Sequence, residues 1–127
     1  MTKEKNKINY IKIFWIFVAV LATILIFFLI DYIVHSLSDE YAVPDYYFRN
    51  KIIFGTIWGL IIYFFIKKLS ITKKSFVFSA FIAIVLQTRY YLEGYPIEFV
   101  IEFLFFHFLM LLAATLIIFN LMKNKLE

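Results

Sequence analysis

The chain contains no cysteine, and its 127 residues include only three glycines and two prolines. The absence of cysteine excludes disulfide bonds, thiolate metal sites, a cysteine nucleophile and CxxC redox chemistry. The scarcity of glycine and proline favours long regular elements joined by short turns. Only 17% of the residues are charged. No motif indicates a particular reaction or substrate, and no cofactor is expected.

Hydrophobic residues are abundant instead, at 64% of the chain, and 17 of them are phenylalanine. A chain of this length forms one domain at most, and its surface-to-volume ratio is too high to hide so much apolar surface from water. Lipid is therefore expected to cover part of it. The composition predicts an integral membrane protein whose partners include membrane lipids but not nucleic acid.

Four stretches without a charged residue predict the membrane spans. They cover residues 13–30, 52–66, 75–88 and 103–122. Because a helix needs about 20 residues to cross a bilayer, the two middle stretches must extend into their flanks. We expect helices at about 8–35, 44–68, 74–92 and 96–122. The predicted fold is a single all-α membrane domain over residues 1–127, a compact four-helix bundle of two antiparallel hairpins. The first apolar run exceeds the roughly 7–15 residues of a cleaved signal peptide, so we expect it to remain as a helix.

The distribution of basic residues predicts the orientation of these spans, because cytoplasmic loops carry an excess of Lys and Arg. Ten of the 13 basic residues fall on the side of both termini and the middle loop: Lys3, Lys5, Lys7, Lys12, Lys67, Lys68, Lys73, Lys74, Lys123 and Lys125. Of the other three, Arg49 and Lys51 are expected to extend from the second helix toward the headgroups. We therefore expect a multi-pass protein of the cell membrane with both termini in the cytoplasm.

Ionisable residues at the outer helix ends form the best candidate site in the sequence. Asp31 and His35 are four residues apart, so they share one face of the first helix. Glu98 and Glu102 share a face of the fourth helix in the same way. Carboxylates and imidazoles are ligands for divalent metals and can also transfer protons. These four residues are candidate metal ligands, and the alternative is that they are ordinary solvated charges.

A second candidate polar cluster consists of Arg89, Glu93, Gln87 and His107. The spacing of four residues predicts an ion pair between Arg89 and Glu93, with Glu102 as the other candidate partner of the arginine.

His107 is expected near mid-span and pointing into the bundle, with its ring neutral and hydrogen-bonded to Thr56, Gln87 or a backbone carbonyl. It is either a structural contact or a proton or ion relay. His35 is expected beyond the outer end of the first helix, so the two imidazoles are not expected to share one level.

Small residues predict where helices approach closely. Gly55 and Gly59 form a GxxxG pattern on one face of the second helix, and Ser79 and Ala83 belong to a stripe on the third. Their expected role is helix packing, either within the chain or with a second copy.

Three hypotheses of function remain open. The first is a non-enzymatic accessory or structural protein that acts through helix contacts in the bilayer, with a homo-oligomer or another membrane protein as partner. The alternative is an oligomeric transporter or channel for a small solute or ion, with His107 near the pathway. The third is a membrane enzyme, or a lipid-binding or metal-binding protein, that uses the outer Asp, His and Glu residues.

Overall fold

The computed structural model describes residues 2–127, with side chains from residue 9 onward, so those of Lys3, Lys5 and Lys7 lie outside the described residues. All regular structure within this range is helical, as predicted. The four long helices are α1 (Thr2–His35), α2 (Tyr46–Ile66), α3 (Ile71–Leu92) and α4 (Ile97–Leu121). A single 3₁₀ turn at Asp39–Tyr41 follows α1, and a short helix α5 (Lys123–Leu126) ends the chain.

The helices form a bundle with two chemically different ends. The tyrosine-rich end consists of the connections at residues 36–45 and 93–96, and the lysine-rich end consists of residues 67–70 and 122–127. The α1, α2, α3 and α4 segments are each long and apolar enough to cross a membrane. Their outward faces are apolar as well, with Phe65 83% exposed and Leu121 77% exposed. A helix that is hydrophobic all round is typical of a membrane span.

The turn between α3 and α4 shows how local chemistry sets the fold. Gly94 has φ +87°, a left-handed conformation that glycine adopts without the steric strain of a Cβ. Its N–H donates to the carbonyl of Tyr91, and the N–H of Tyr95 donates to the carbonyl of Tyr90. This pair of bonds is a Schellman motif, which satisfies carbonyls at a helix end. Pro96 then stands directly before α4, so the two helices form a tight antiparallel hairpin.

The bundle core runs along the axis between the helices. Fully buried side chains come from each of the four long helices: Val20, Ile24, Phe27, Tyr63, Phe78, Ile82, Leu111 and Phe119. A hydrogen-bonded pair crosses this core, with the hydroxyls of Ser79 and Thr115 3.0 Å apart. Ala83 is also fully buried. The small stripe of α3 therefore packs within the chain, against α4.

The two glycines of α2 face neighbouring helices of the same chain. A Cβ placed on Gly59 would lie 2.8 Å from Cγ1 of Val20 and 3.0 Å from Cζ of Phe78. A Cβ on Gly55 would lie 3.2 Å from Cδ1 of Ile24. Both glycines let α2 approach α1 closely, as GxxxG patterns do.

We expect Gly59→Ala to lower the free energy of unfolding by about 1–3 kcal/mol, because the new methyl group overpacks the contact with Val20 and Phe78. Gly55→Ala is the matched control. There the contact is the flexible end of Ile24, and alanine gains up to about 1 kcal/mol in helix propensity, so little net change is expected. Titration with SDS in detergent micelles measures both values. Equal stability of Gly59→Ala and the wild type would show that this contact is not tight.

Candidate functional site

Four ionisable side chains meet inside the bundle near its tyrosine-rich end. Asp31 and His35 come from α1, Lys51 from α2 and His107 from α4. Their exposed fractions are 0%, 4%, 4% and 0%. We call this set the Asp31 cluster. The ring of Tyr90 on α3 lies beside it, with its centroid 5.2 Å from the Lys51 ammonium, so all four long helices contribute.

The direction of helical side chains explains how the two histidines meet. Side chains tilt toward the N-terminus of their helix. His35 is the last residue of α1 and therefore reaches back into the bundle, whereas His107 on the antiparallel α4 reaches toward the tyrosine-rich end. The two ring centroids are 6.2 Å apart. The expectation that the imidazoles lie at different levels is thus wrong, because it compared backbone positions and ignored these opposite tilts.

Asp31 is the acceptor that joins the cluster. Its Oδ2 lies 2.6 Å from Nζ of Lys51, and its Oδ1 lies 2.9 Å from Nε2 of His107. Nε2 of His35 is 3.3 Å from the same Oδ1. The Lys51 ammonium lies in the centre of the group, 3.2 Å from Nε2 of His35 and 3.3 Å from Nε2 of His107.

Hydrogen-bond partners determine which ring nitrogens carry protons. Nδ1 of His35 is 2.6 Å from the carbonyl oxygen of Tyr41, which can only accept, so Nδ1 carries the proton. Nε2 of His35 then has a lone pair that accepts from Lys51. Nε2 of His107 donates to Asp31 and so carries its proton. The carboxylate of Asp31 and the ammonium of Lys51 neutralise each other at the centre of this network.

Aromatic rings enclose the two imidazoles. The ring of His35 stacks on Phe103 with centroids 4.3 Å apart, and Phe48 meets it edge-on at 5.5 Å. Phe27 meets the ring of His107 edge-on at 5.3 Å. These walls restrict access of water, which strengthens the electrostatic interactions within the cluster.

The connection after α1 covers the cluster at the tyrosine-rich end. Tyr41, whose carbonyl accepts from His35, donates its hydroxyl to Oε1 of Glu102 at 2.9 Å. This hydrogen bond to a carboxylate raises the pKa of the Tyr41 phenol above its ordinary value, because it stabilises the protonated form. The contact ties the connection to α4 and holds the backbone that orients His35.

The other residues predicted to share these sites lie elsewhere. Glu98 and Glu102 are exposed and do not join Asp31 and His35. The expected set of four metal ligands is therefore wrong, since the carboxylates of α4 point away from the bundle while His107 points into it.

The second predicted polar cluster also separates into independent contacts. Nε of Arg89 is 3.0 Å from Oε1 of Glu93, as the spacing of four residues predicts, but this pair is far more exposed than His107. Nε2 of Gln87 donates to the carbonyl of Val100 at 2.6 Å. The partner of His107 is Asp31, and not one of the groups predicted from depth.

Lys51 is the site residue that the prediction misplaced, since it points inward and not toward headgroups. A signal for this was present in the sequence. Residues on one face of a helix recur every three or four positions. Tyr47, Lys51, Gly55, Gly59 and Tyr63 are spaced four apart, and all are buried. The lysine thus lies in line with the two glycines that mark the packed face of α2.

No protein-family model, curated protein or solved structure matches this chain. The function is therefore inferred from the chemistry of the Asp31 cluster.

The cluster is arranged to hold one cation at a time. A carboxylate oxygen of Asp31 and ring nitrogens of His35 and His107 lie within 4.8 Å of one another, a donor set suited to a transition metal. Nζ of Lys51 lies 2.6 to 3.3 Å from Asp31 and the two imidazoles, at the position that a metal ion would take. The lysine thus acts as a tethered cation, and any other cation must displace its ammonium group.

Removal of one partner from the buried ion pair should destabilise the protein more than removal of both. Asp31→Leu or Lys51→Met alone leaves an unpaired buried charge, and we expect each to lower the free energy of unfolding by about 3–5 kcal/mol. The double variant should recover most of this loss, because no unpaired charge remains. A double-mutant cycle in micelles measures the coupling. Additive losses would show that the two charges do not interact.

Proposed function

We propose that the protein is a multi-pass protein of the cell membrane that exchanges a small cation for protons at the Asp31 cluster. The observation that supports this proposal is a buried set of one Asp, one Lys and two His inside four apolar helices, with Asp31 bound to Lys51 at 2.6 Å. Ionisable residues inside membrane spans mark ion pathways and proton relays. A buried ion pair is rarely needed for stability, since apolar replacements are often neutral or stabilising.

The orientation follows from the charges of the two ends. In this proposal the lysine-rich end and both termini face the cytoplasm, because ten of the 13 basic residues lie on that side. Seven of the nine acidic residues lie on the other side. The Asp31 cluster then lies toward the outer face, beneath the segment that contains Tyr41.

Cysteine labelling tests the orientation, and the absence of native cysteine leaves no background. A cysteine introduced by Ser38→Cys should react with a membrane-impermeant maleimide in intact cells. One introduced by Ser70→Cys should react only after the membrane is opened. The reverse pattern would overturn the orientation.

Competition for Asp31 gives a mechanism of exchange. The carboxylate can neutralise one positive charge, either that of the Lys51 ammonium or that of a small cation. A cation that enters displaces the Lys51 ammonium, which releases its proton and remains as a neutral amine. The cation is then held by Asp31, by Nε2 of His35 and by Nε2 of His107, whose proton moves to Nδ1, a nitrogen without a partner among the described residues. When the lysine takes up a proton again, its ammonium pairs with Asp31 and the cation is released, so movement of the cation is coupled to movement of a proton.

The core below the cluster supports a carrier over an open pore. Between the cluster and the lysine-rich end, Ile24, Ile82 and Leu111 are all fully buried. These side chains lie between the cluster and the hydroxyl pair of Ser79 and Thr115. A site closed on one side by packed side chains fits alternating access, in which these side chains part only after the cluster is occupied and closed from the other side.

Flux measurements in liposomes test the exchange. Purified protein is reconstituted with a pH-sensitive dye inside, and KCl or MnCl2 is added outside, because the donor set of the cluster suits a transition metal. We expect the wild type to alkalinise the interior as the cation enters and protons leave. Asp31→Asn should abolish the response, and His107→Phe should slow it at least about tenfold, because each removes a group that holds the cation.

The matched control is Glu98→Gln, which removes an exposed carboxylate from the same end of the bundle and should leave the rate unchanged. A wild-type response no larger than that of protein-free liposomes for both salts would overturn the proposal, as would an unchanged rate in Asp31→Asn.

A second candidate function is an accessory membrane protein that acts through helix contacts. An apolar groove of about 340 Å³ on the surface of α3 and α4 favours it, lined by Ala80, Ala83, Ile84, Leu104, Phe105 and Phe108. Such a groove can accept side chains of another helix. The GxxxG pattern does not support this candidate, because Gly55 and Gly59 are occupied within the chain.

An enzymatic function receives less support. Within residues 9–127, no serine or threonine hydroxyl is hydrogen-bonded to either imidazole of the Asp31 cluster, so the pairing of a nucleophile with a base is not present there.

A further inference from the structure

A cavity of about 250 Å³ lies between α2 and α3, directly beside the Asp31 cluster. Lys51 and Tyr90 form part of its wall, so the cavity and the cluster share these two side chains. It is open on one side. The polar side chains of Arg89 and Asn50 line one part of the cavity, and the aromatic side chain of Trp58 lines another.

The polar part of the cavity carries positive charge. Arg89 is aligned by its Nε, which donates to Glu93 at 3.0 Å, and by Tyr47, whose ring centroid is 5.3 Å from the guanidinium carbon. The two Nη groups of this arginine make no hydrogen bond to the described residues. Planar guanidinium groups bind phosphate and carboxylate oxygens through two parallel N–H groups. Asn50 offers a further donor in the same wall.

Two almost completely buried side chains close the inner end of the cavity. Tyr90 is 1% exposed and Lys51 is 4% exposed, and both line the cavity wall.

The remainder of the cavity is apolar and aromatic. Phe54 and Trp58 lie on α2, and both also face outward, with exposed fractions of 46% and 39%. A hydrocarbon chain that enters from the surrounding lipid would therefore contact these rings first. The combination of a cationic end and an apolar body matches a molecule with the opposite charge at one end and a chain at the other.

We propose that this cavity binds a membrane amphiphile with an anionic phosphate or carboxylate headgroup. The headgroup lies against Arg89 and Asn50, and the chain lies along Phe54 and Trp58. The bound anion is then close to the wall formed by Lys51, where it competes with Asp31 for the ammonium group. Binding itself does not depend on the proposed function, whereas this effect on Lys51 rests on it, so the two are measured separately.

Fluorescence of Trp58 provides a direct test of binding, because bromine atoms on a lipid chain quench a nearby tryptophan. The protein has two tryptophans, and Trp15→Phe leaves Trp58 as the only one. This variant is reconstituted in phosphatidylcholine mixed with brominated phosphatidylglycerol, or with brominated phosphatidylcholine as the neutral reference. A third series with dibromostearate tests a carboxylate headgroup.

We expect an anionic brominated probe to bind about fivefold more tightly than brominated phosphatidylcholine, the effect of one basic side chain near a headgroup. In the Trp15→Phe background, Arg89→Gln should reduce this preference to about onefold, and Arg89→Lys should retain part of it. Arg49→Gln is the matched control, because it removes an exposed arginine near the same end that does not line the cavity. Its preference should be unchanged.

Asn50→Leu removes the other polar side chain placed against the headgroup and should also weaken the preference, which keeps the test decisive if Arg89→Gln does not fold. Preference for phosphatidylglycerol identifies a lipid phosphate as the ligand, and preference for dibromostearate identifies a carboxylate. Equal quenching by anionic and neutral probes would overturn the proposal. Displacement by inorganic phosphate, without preference for any brominated anion, would overturn the amphiphile and leave a water-soluble ligand.

Asp31→Asn separates this inference from the proposed function. It should abolish cation exchange but retain or strengthen the preference for the anionic probe, since Asp31 does not line the cavity and no longer competes for the Lys51 ammonium. Loss of exchange with an intact lipid preference shows that the two properties are independent. Intact cation exchange, with no preference for an anionic probe in any variant, would overturn only the proposed lipid site.

Discussion

The ion pair between Lys51 and Asp31 is the contact that brings the polar groups of the tyrosine-rich half of the bundle together. It joins α1 to α2 at 2.6 Å, and both groups are almost completely buried. Removing two charges from water is expensive, and their attraction offsets this only when further hydrogen bonds satisfy the remaining atoms. His107 supplies such a bond to Asp31, and His35 accepts one from Lys51. Loss of any one of the four groups would therefore leave a buried partner without a hydrogen bond.

The residues around the Asp31 cluster hold His35 in one orientation. Phe103 stacks on His35, and the carbonyl of Tyr41 fixes which ring nitrogen of that histidine carries a proton. Within the same described region, Nδ1 of His107 has no hydrogen-bond partner. Both ring nitrogens of His35 thus have partners, whereas Nδ1 of His107 can still accept a hydrogen bond.

Lys51 belongs both to the Asp31 cluster and to the wall of the cavity between α2 and α3. Its ammonium group can face a carboxylate on one side and an anion on the other, but it cannot neutralise both. A ligand in the cavity between α2 and α3 would therefore change the electrostatic environment of Asp31 without touching it. Such coupling between the cluster and the cavity needs no large conformational change, because it depends only on which anion pairs with the Lys51 ammonium.

The sequence alone determined the helices and the chemical difference between the ends of the bundle. In a bilayer, a long uncharged run can satisfy its backbone polar groups within itself only as a helix. Gly94 ends α3 and Pro96 precedes α4, so the local sequence sets the turn between these two helices. The pairing of Arg89 with Glu93 was also predictable, since both partners lie on one helix and their spacing sets their distance.

The tertiary structure alone decided which polar groups meet. Asp31, Lys51 and His107 lie on three different helices, so their distances depend on helix rotation and on the tilt of side chains in antiparallel neighbours. Sequence spacing carries no information about either across separate helices. A long side chain such as that of Lys51 can reach toward water or into the core from the same backbone position. The buried carboxylate on α1 is what draws it inward, because no other group in reach would neutralise that charge.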